Sequence, residues 1–331
     1  MTPRFSFIVP VRNDAARLAR CLRSIRANRR TPDQIDIVVV DNGSTDESAQ
    51  VARRFGAEVH VLPNARVPEL RNHGALQASG EVLAFVDADH EIEPGWVAAA
   101  LETLQSDGVG AVGALCRAPA DGTWVQRAYG SFRGRPRGQY DVEWLGSGNL
   151  AVWRRTFEAV GGFDTSLETC EDVDLCHRLR ASGLRIVSDA RLDNVHHGDP
   201  KTLHDLFKSE LWRGRDNMRV SFRGPIAWNG VPSAVIPLID LVMLGIAPIG
   251  LVAMAGGWKP GLALTSAAVV VFLGAAAVKV IRALLRERRI GWPDIWQTFA
   301  VACVYDLARA LALVARAPHR SVRSSPAAIT S

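Results

Sequence analysis

The sequence predicts an α/β fold, a mostly parallel sheet with helices on both faces, followed by a C-terminal helical membrane region. Three observations carry this expectation. Short β-rich apolar runs alternate with segments of helical period over residues 5–89, polar clusters follow several of those runs directly, and long uncharged stretches appear only beyond residue 230. With 331 residues the chain has room for two domains. We divide it into a sheet domain at residues 1–225 and a membrane region at residues 226–331. The composition, 48% hydrophobic and 22% charged with mean hydropathy +0.05, excludes both a disordered polymer and a protein made wholly of membrane spans.

The elements follow in order. FSFIVPV from residue 5 is a strand, and RNDAARLARCLRSIRAN after it carries Leu18, Leu22 and Ile25 at helical spacing. IDIVVVDNGS runs from a buried strand into a loop. ESAQVARRF is helical, AEVHVL a strand, ELRNHGALQAS helical and EVLAFVDAD a strand again. Such alternation places ligands at the carboxyl ends of the strands.

Residues 231–256 are apolar and long enough to cross a hydrocarbon core, with Pro237, Pro248 and Asp240 interrupting them, so a kinked span is expected. Residues 262–281 form a cleaner span, joined to the first by GWKPG, and RALLRERR behind it marks a cytoplasmic flank. A third segment, residues 292–317, contains Asp306 and Arg309 and has basic flanks on both sides; we expect it in the cytoplasmic interface rather than across the bilayer. The charge is lopsided: residues 226–331 carry +6 and residues 1–225 carry −1. Basic charge that flanks apolar runs suits an anionic membrane surface and not nucleic acid. Five scattered cysteines without a CxxC pair indicate neither a disulfide framework nor a zinc knuckle. The start MTPRFSFIVPVRND is no signal peptide, so the expected location is the inner membrane with the sheet domain in the cytosol.

The polar clusters sit at strand ends. Asp41 follows IVVV, and DNGSTD offers a carboxylate, an amide and a hydroxyl suited to a nucleoside, although the same loop also suits the cap of a helix that begins near Glu47. Asp87 and Asp89 in FVDADH flank one residue after an apolar strand, where both carboxylates can approach a divalent cation, Mg2+ or Mn2+, that shares diphosphate oxygens. Glu171, Asp172 and Asp174 open a helix; the helix dipole accounts for one or two of them and leaves room for a general base. His196 and His197 in NVHHGDP offer an imidazole to complete the metal site.

The segments VPVRN, VVVDNGSTD, RNHGALQASGEVLAFVDADHEIEPGW, GSGNLAVWRRTFEAVGGFD and EDVDLCHRLRASG, in this order, resemble the family 2 glycosyltransferases, inverting enzymes of the GT-A fold, over about residues 4–200. The resemblance implies that Pro10, Val11 and Asn13 form the first nucleotide-binding strand end, that Asp41 reads the base with Ser44 in the same loop, and that Arg71 lies near the pyrophosphate. It implies Asp87 and Asp89 as the motif for metal and nucleotide sugar, Gly148 and Asn149 as the start of the acceptor-side wall, Asp172 of the Glu171-Asp172 pair as the base, and His196 rather than His197 as the metal-side histidine. Arg12 departs from the aromatic residue of many members, so base stacking is not implied there.

A nucleotide-sugar donor, UDP-linked, and a divalent metal follow from the resemblance. The acceptor is narrowed by chemistry. A sugar hydroxyl needs a base, a polyprenyl phosphate does not, and the acidic pair together with the membrane region points to a hydroxyl on a lipid-linked or membrane-held glycan. The loop FRGRPRGQY, with Arg133, Arg135 and Arg137, offers a clamp for a lipid diphosphate or else is a solvated loop. Three rival readings are a polyprenyl-phosphate glycosyltransferase, a membrane-anchored binding protein without turnover, and a nucleotidyltransferase. The last lacks its glycine-rich phosphate loop, since VPVRNDAAR has no glycine.

Overall fold

The computed structural model describes residues 3–28, 34–134, 137–221, 231–286 and 291–315. Ten strands and nine helices come first in the chain among these residues: β1 (Phe5–Val11), α1 (Ala15–Ala27), β2 (Ile35–Asp41), α2 (Ser48–Arg54), β3 (Glu58–Val61), α3 (Val67–Gln77), β4 (Val82–Val86), β5 (His90–Ile92), α4 (Trp96–Leu104), β6 (Val109–Gly113), α5 (Trp124–Arg133), β7 (Gln139–Val142), β8 (Asn149–Trp153), α6 (Arg154–Ala159), α7 (Glu171–Ala181), β9 (Arg185–Asp189), β10 (Asn194–His196), α8 (Leu203–Arg213) and α9 (Asn217–Ser221). Helices α10 (Val231–Ala255), α11 (Pro260–Arg286) and α12 (Trp292–Ala312) follow.

Eight strands form one sheet in the order β3-β2-β1-β4-β8-β6-β9-β7, in which only β8 and β7 run against the others. Strands β1, β4 and β6 are buried on both faces, so alternate side chains feed two cores, while the edge strands β3 and β7 are exposed or half-buried. Phe7, Val9 and Val39 pack with Leu18, Leu22 and Ile25 of α1 and Trp96 of α4. Ile8, Val40 and Phe85 pack with Leu70 of α3, Phe163, and Leu175 and Leu179 of α7. This is the mostly parallel, two-faced sheet that the alternation predicts.

A second, two-stranded sheet sits beside the carboxyl ends. Antiparallel β5 and β10 pair with His90 directly opposite His196. Opposed residues project to the same face, so this register brings two distant histidines together and turns His197 the other way.

Helices α10 and α11 are long and apolar enough to cross a membrane: the windows Val235–Ala255 and Pro260–Leu285 have mean hydropathies of 2.3 and 2.2. Only 17% and 22% of the best stretch in each is buried, which is unlike a core helix of a soluble protein. The second helix is longer than the expected 262–281. Gly250 of α10 and Gly261 of α11 let the two backbones meet; a Cβ on Gly250 would stand 2.7 Å from the Gly261 carbonyl oxygen. The Thr265 hydroxyl donates to the Ala247 carbonyl at 3.0 Å. The last three residues of RALLRERR, within the stretch 287–290, and the tail from residue 316 lie outside the described residues.

Helix α12 packs against α5 and α8 on one side and against α10 and α11 on the other. The join with the sheet domain combines an apolar cluster, in which Val301 of α12 packs with Val125 and Ala128 of α5 and Leu206 of α8, with a buried polar network. Glu210 of α8 accepts from the Tyr129 hydroxyl at 2.6 Å, from Arg213 at 3.1 Å and from Arg309 of α12 at 2.9 Å. At the other side Lys279 of α11 pairs with Asp306. Arg309→Ala is expected to cost about 3 kcal/mol, because it strips one of two cations from a buried carboxylate. A lowered thermal midpoint of the detergent-solubilised protein checks this; an unchanged midpoint would mean that the Arg309–Glu210 pair does not stabilise the join.

Candidate active site

The carboxyl ends of β1 and β2 are stitched into one rim. Asn13, held in the left-handed region at φ 51°, accepts from the Thr45 backbone N–H at 2.7 Å, and its own N–H donates to Ser44 Oγ at 2.9 Å. Asp41 is buried and accepts from the Ser44 N–H at 2.8 Å. Asn13, Asp41 and Ser44 thus shape the two loops, while Pro10, Val11, Arg12 and Asn42 line the cleft beside them. Helix α2 starts at Ser48, capped through Asp46, close to the expected Glu47.

At the end of β4 the two aspartates part company. Asp87 Oδ1 receives Arg71 Nη2 at 2.6 Å, and the same guanidinium reaches Glu171 at 2.7 Å. Arg71 is buried inside α3, and although burial alone would lower its pKa, the two carboxylates raise it. Both terminal nitrogens are therefore engaged. Instead of standing free beside a pyrophosphate, Arg71 bridges the strand-end aspartate to the acidic pair of α7.

Asp89 faces the histidines. His196 Nε2 is 3.3 Å from Asp89 Oδ2, His90 Nε2 is 4.0 Å from Asp89 Oδ1, and the two imidazoles lie 4.5 Å apart between centroids. One ligand atom from each of Asp89, His90 and His196 lies within 4.8 Å of the others. Asp89 and His196 of the expected metal set are in this cluster together with His90, while Asp87 Oδ1 is held by Arg71. His197 turns away to Glu91 at 2.9 Å. Burial disfavours a charged His196, but hydrogen bonds to Asp199 and Asp89 outweigh it and hold the imidazole up at about 9. Burial, with His196 next to it, pushes His90 down to about 4. The Asp199 contact, 2.8 Å from Nδ1, fixes the ring so that Nε2 faces Asp89.

The residues fit a divalent cation on two grounds. Gly198 leaves the space: a Cβ there would stand 1.8 Å from Asp89 Oδ2 and 3.0 Å from His196 Nε2. The donor set of one carboxylate and two imidazoles suits Mn2+ better than Mg2+, which prefers oxygen ligands.

The acidic pair opens α7 behind Cys170, whose φ of 62° turns the chain into the helix. Asp174 is spent on Arg178 at 2.8 Å, one turn along. Asp172 stays half-buried on the cleft wall and accepts from the N–H groups of Val173 at 2.8 Å and Ser147 at 3.4 Å. Burial first, and then the Glu171 carboxylate, push Asp172 up to about 7. Gly148 passes close to Asp87 and His90; a Cβ there would be 2.7 Å from Asp87 Oδ2 and 2.9 Å from His90 Nε2. Asn149, expected in the acceptor wall, has its amide committed elsewhere: it accepts from Trp96 Nε1 and donates to the carbonyls of Ala114 and Leu192. In FRGRPRGQY, Arg133 is paired with Asp199 and lies 4.3 Å over the Tyr129 ring, Arg137 is exposed, and Arg135 is outside the described residues.

One cleft of about 1700 Å³ joins these parts, from Pro10 and Asp89 past Asp172 to Ile236 of α10 and Arg282 of α11. Sequence reasoning missed His90, Gly198 and Asp199. Their signals are the residues next to the motifs, in DADH and HHGD.

A parallel sheet with paired aspartates at one strand end, a carboxylate-imidazole cluster beside them and an acidic helix start across the cleft is the architecture of the GT-A nucleotide-sugar enzymes. Residues 6–159, a little under half of the chain, match the family model "Glycosyl transferase family 2". RfbC, an O-antigen biosynthesis protein of Myxococcus xanthus, is 30% identical over 240 residues, which are 64% of this chain and 19% of RfbC. The glycosyltransferase AglE of Haloferax volcanii is 28% identical over 228 residues, 66% of this chain and 74% of AglE. This chain thus spans about a fifth of the first relative and three quarters of the second. Among solved structures, the mannosyltransferase PcManGT from Pyrobaculum calidifontis, in complex with GDP-Man and Mn2+, shares the fold with a TM-score of 0.59 at 19% identity, over 94% of this chain and 88% of that one.

Proposed function

We propose that this chain is an inverting, metal-dependent glycosyltransferase that moves a sugar from a nucleotide-sugar donor to a hydroxyl of a lipid-linked or membrane-associated glycan, at the cytoplasmic face of the inner membrane. The observation that carries the reading is one cleft lined together by Asp172, by Asp89, His90 and His196, and by residues of the apolar C-terminal helices. In this reading the rim formed by Pro10, Val11, Asn13, Asp41 and Ser44 holds the nucleoside. Asp89, His90 and His196 would hold a divalent cation, which would supply neutralisation of the charge that develops on the departing diphosphate. Arg71 keeps Asp87 and Glu171 in register and adds its own positive charge beneath them. Asp172 takes the proton of the acceptor hydroxyl on the side opposite the leaving group, which inverts the anomeric centre without a covalent intermediate. A carboxyl held near 7 is suited to this work, since near neutral pH a large fraction of it is ionised and it is still basic enough to accept.

The test is a donor screen with Mn2+ over UDP- and GDP-sugars, scored as nucleoside diphosphate release with and without membrane lipid extract. Release that lipid extract accelerates is the expected result. Donor binding without any release would instead mean a binding protein. The membrane reading makes a separate prediction: reporters fused after residue 225 and at the C-terminus report the cytosol, and one placed in GWKPG reports the opposite side. Agreement of all three reporters would overturn the two-span hairpin.

A further inference from the structure

Past Asp172 the wall of the cleft passes from the sheet domain to the C-terminal helices, and its chemistry changes. Val235, Ile236 and Pro237 of α10 give it an apolar side, and Lys279 and Arg282 of α11 a cationic one. The two cations are three residues apart, so they share one helix face. They are not equivalent. Lys279 is already paired with Asp306, whereas Arg282 is exposed and forms no ion pair with any described residue. A guanidinium without a counter-ion among the described residues, at the C-terminal end of an apolar helix, beside an apolar wall and in the cavity that holds the base, matches an anionic group joined to hydrocarbon. Arg133 does not supply this charge, because Asp199 neutralises it.

We propose that this end of the cleft binds the phosphate-bearing lipid of the acceptor, with the phosphate oxygens on Arg282, Lys279 reinforcing the positive potential one turn away, and the first carbons of the lipid against Val235, Ile236 and Pro237. The inference rests on the reading of a lipid-linked acceptor and adds where its lipid phosphate is held. A guanidinium offers a planar pair of donors to phosphate oxygens, so the site distinguishes a lipid phosphate from the corresponding alcohol. The apolar wall distinguishes it from inorganic phosphates.

The experiment measures binding by the full chain in uncharged detergent micelles, which removes the bulk attraction of an anionic bilayer, and in EDTA, which keeps a metal-bound diphosphate out of the Asp89 cluster. The probes are farnesyl diphosphate, farnesol and inorganic pyrophosphate. Farnesyl diphosphate is expected to bind at least about tenfold tighter than either of the other two, Arg282→Glu to weaken it by about tenfold or more, and Arg282→Lys to retain most of the affinity. Thermal unfolding of both variants verifies that they are folded. Farnesol or pyrophosphate binding as tightly as farnesyl diphosphate overturns the proposal, and so does a folded Arg282→Glu protein with wild-type affinity. Nucleoside diphosphate release by the wild-type protein is scored separately. Release without Arg282-dependent binding leaves the transferase reading in place and sinks this one, and Arg282-dependent binding without release supports this site while the transferase reading fails.

Discussion

Asp172→Asn is expected to lower kcat by about 10²- to 10⁴-fold while donor affinity changes little, which is the signature of a lost general base. The substitution nearly preserves shape and can keep one of the two backbone hydrogen bonds that Asp172 accepts, from Val173 or from Ser147, and unchanged donor affinity distinguishes a missing proton acceptor from a displaced loop. The pH profile gives an independent reading. With its carboxyl at about 7, Asp172 gains its basic form as pH rises through that value, so kcat should fall about tenfold per unit below it and level off above it. In Asp172→Asn that limb should vanish. Glu171→Gln is expected to do less harm, since Glu171 is turned to Arg71 at 2.7 Å and acts through it. A folded Asp172→Asn enzyme that runs near the wild-type rate would move the reading to a polyprenyl-phosphate acceptor, whose ionised oxygen needs no base. A dead Glu171→Gln beside an active Asp172→Asn would place the base one residue earlier.

The second large effect belongs to the Asp89 cluster. Asp89→Ala should abolish metal-dependent turnover and sharply weaken donor binding, and excess EDTA should do the same to the wild-type protein. Gly198→Ala tests the geometry without removing a ligand. Its methyl group has no place to go, because it would stand 1.8 Å from the Asp89 carboxylate, so the carboxylate or the His196 loop must shift. We expect about 10- to 100-fold weaker Mn2+ binding, the size typical of disturbed metal surroundings. Mn2+ titration of the two variants against wild type reads this directly. Full wild-type activity in excess EDTA would sink the metal assignment, and unchanged Mn2+ affinity in Gly198→Ala would sink the geometry assigned to it.

Much of this molecule was legible before any coordinates. Alternation of strand and helix, the placement of Asp87 and Asp89 directly after β4, the acids at the start of α7 and the two apolar helices are all local patterns. They depend on side-chain periodicity, on the length of an apolar run and on the position of a polar residue at its end, and these survive in one dimension. The resemblance carried by the ordered motifs added the roles, which local pattern does not reveal.

What needed the fold are the choices of partner. His90 and His196 meet because β5 and β10 pair in one register and not its neighbour; a shift of one residue would have presented His197. Arg71 reads in sequence as a free cation near a diphosphate, yet it is buried between Asp87 and a glutamate 100 residues away. Asn149 sits at the expected loop with its amide spent on Trp96 and two carbonyls. Helix α12, expected in the membrane interface, is wedged between the apolar hairpin and α8 through Glu210 and Arg309. A charged or polar side chain has the same sequence signature whether it binds a ligand, caps a helix or neutralises a buried neighbour. By itself the sequence determined the class of fold, the strand-end aspartates and the apolar segments, because periodicity and run length act between near neighbours; the tertiary structure alone decided which polar groups remain open to a substrate, because that depends on pairings closed across long stretches of chain.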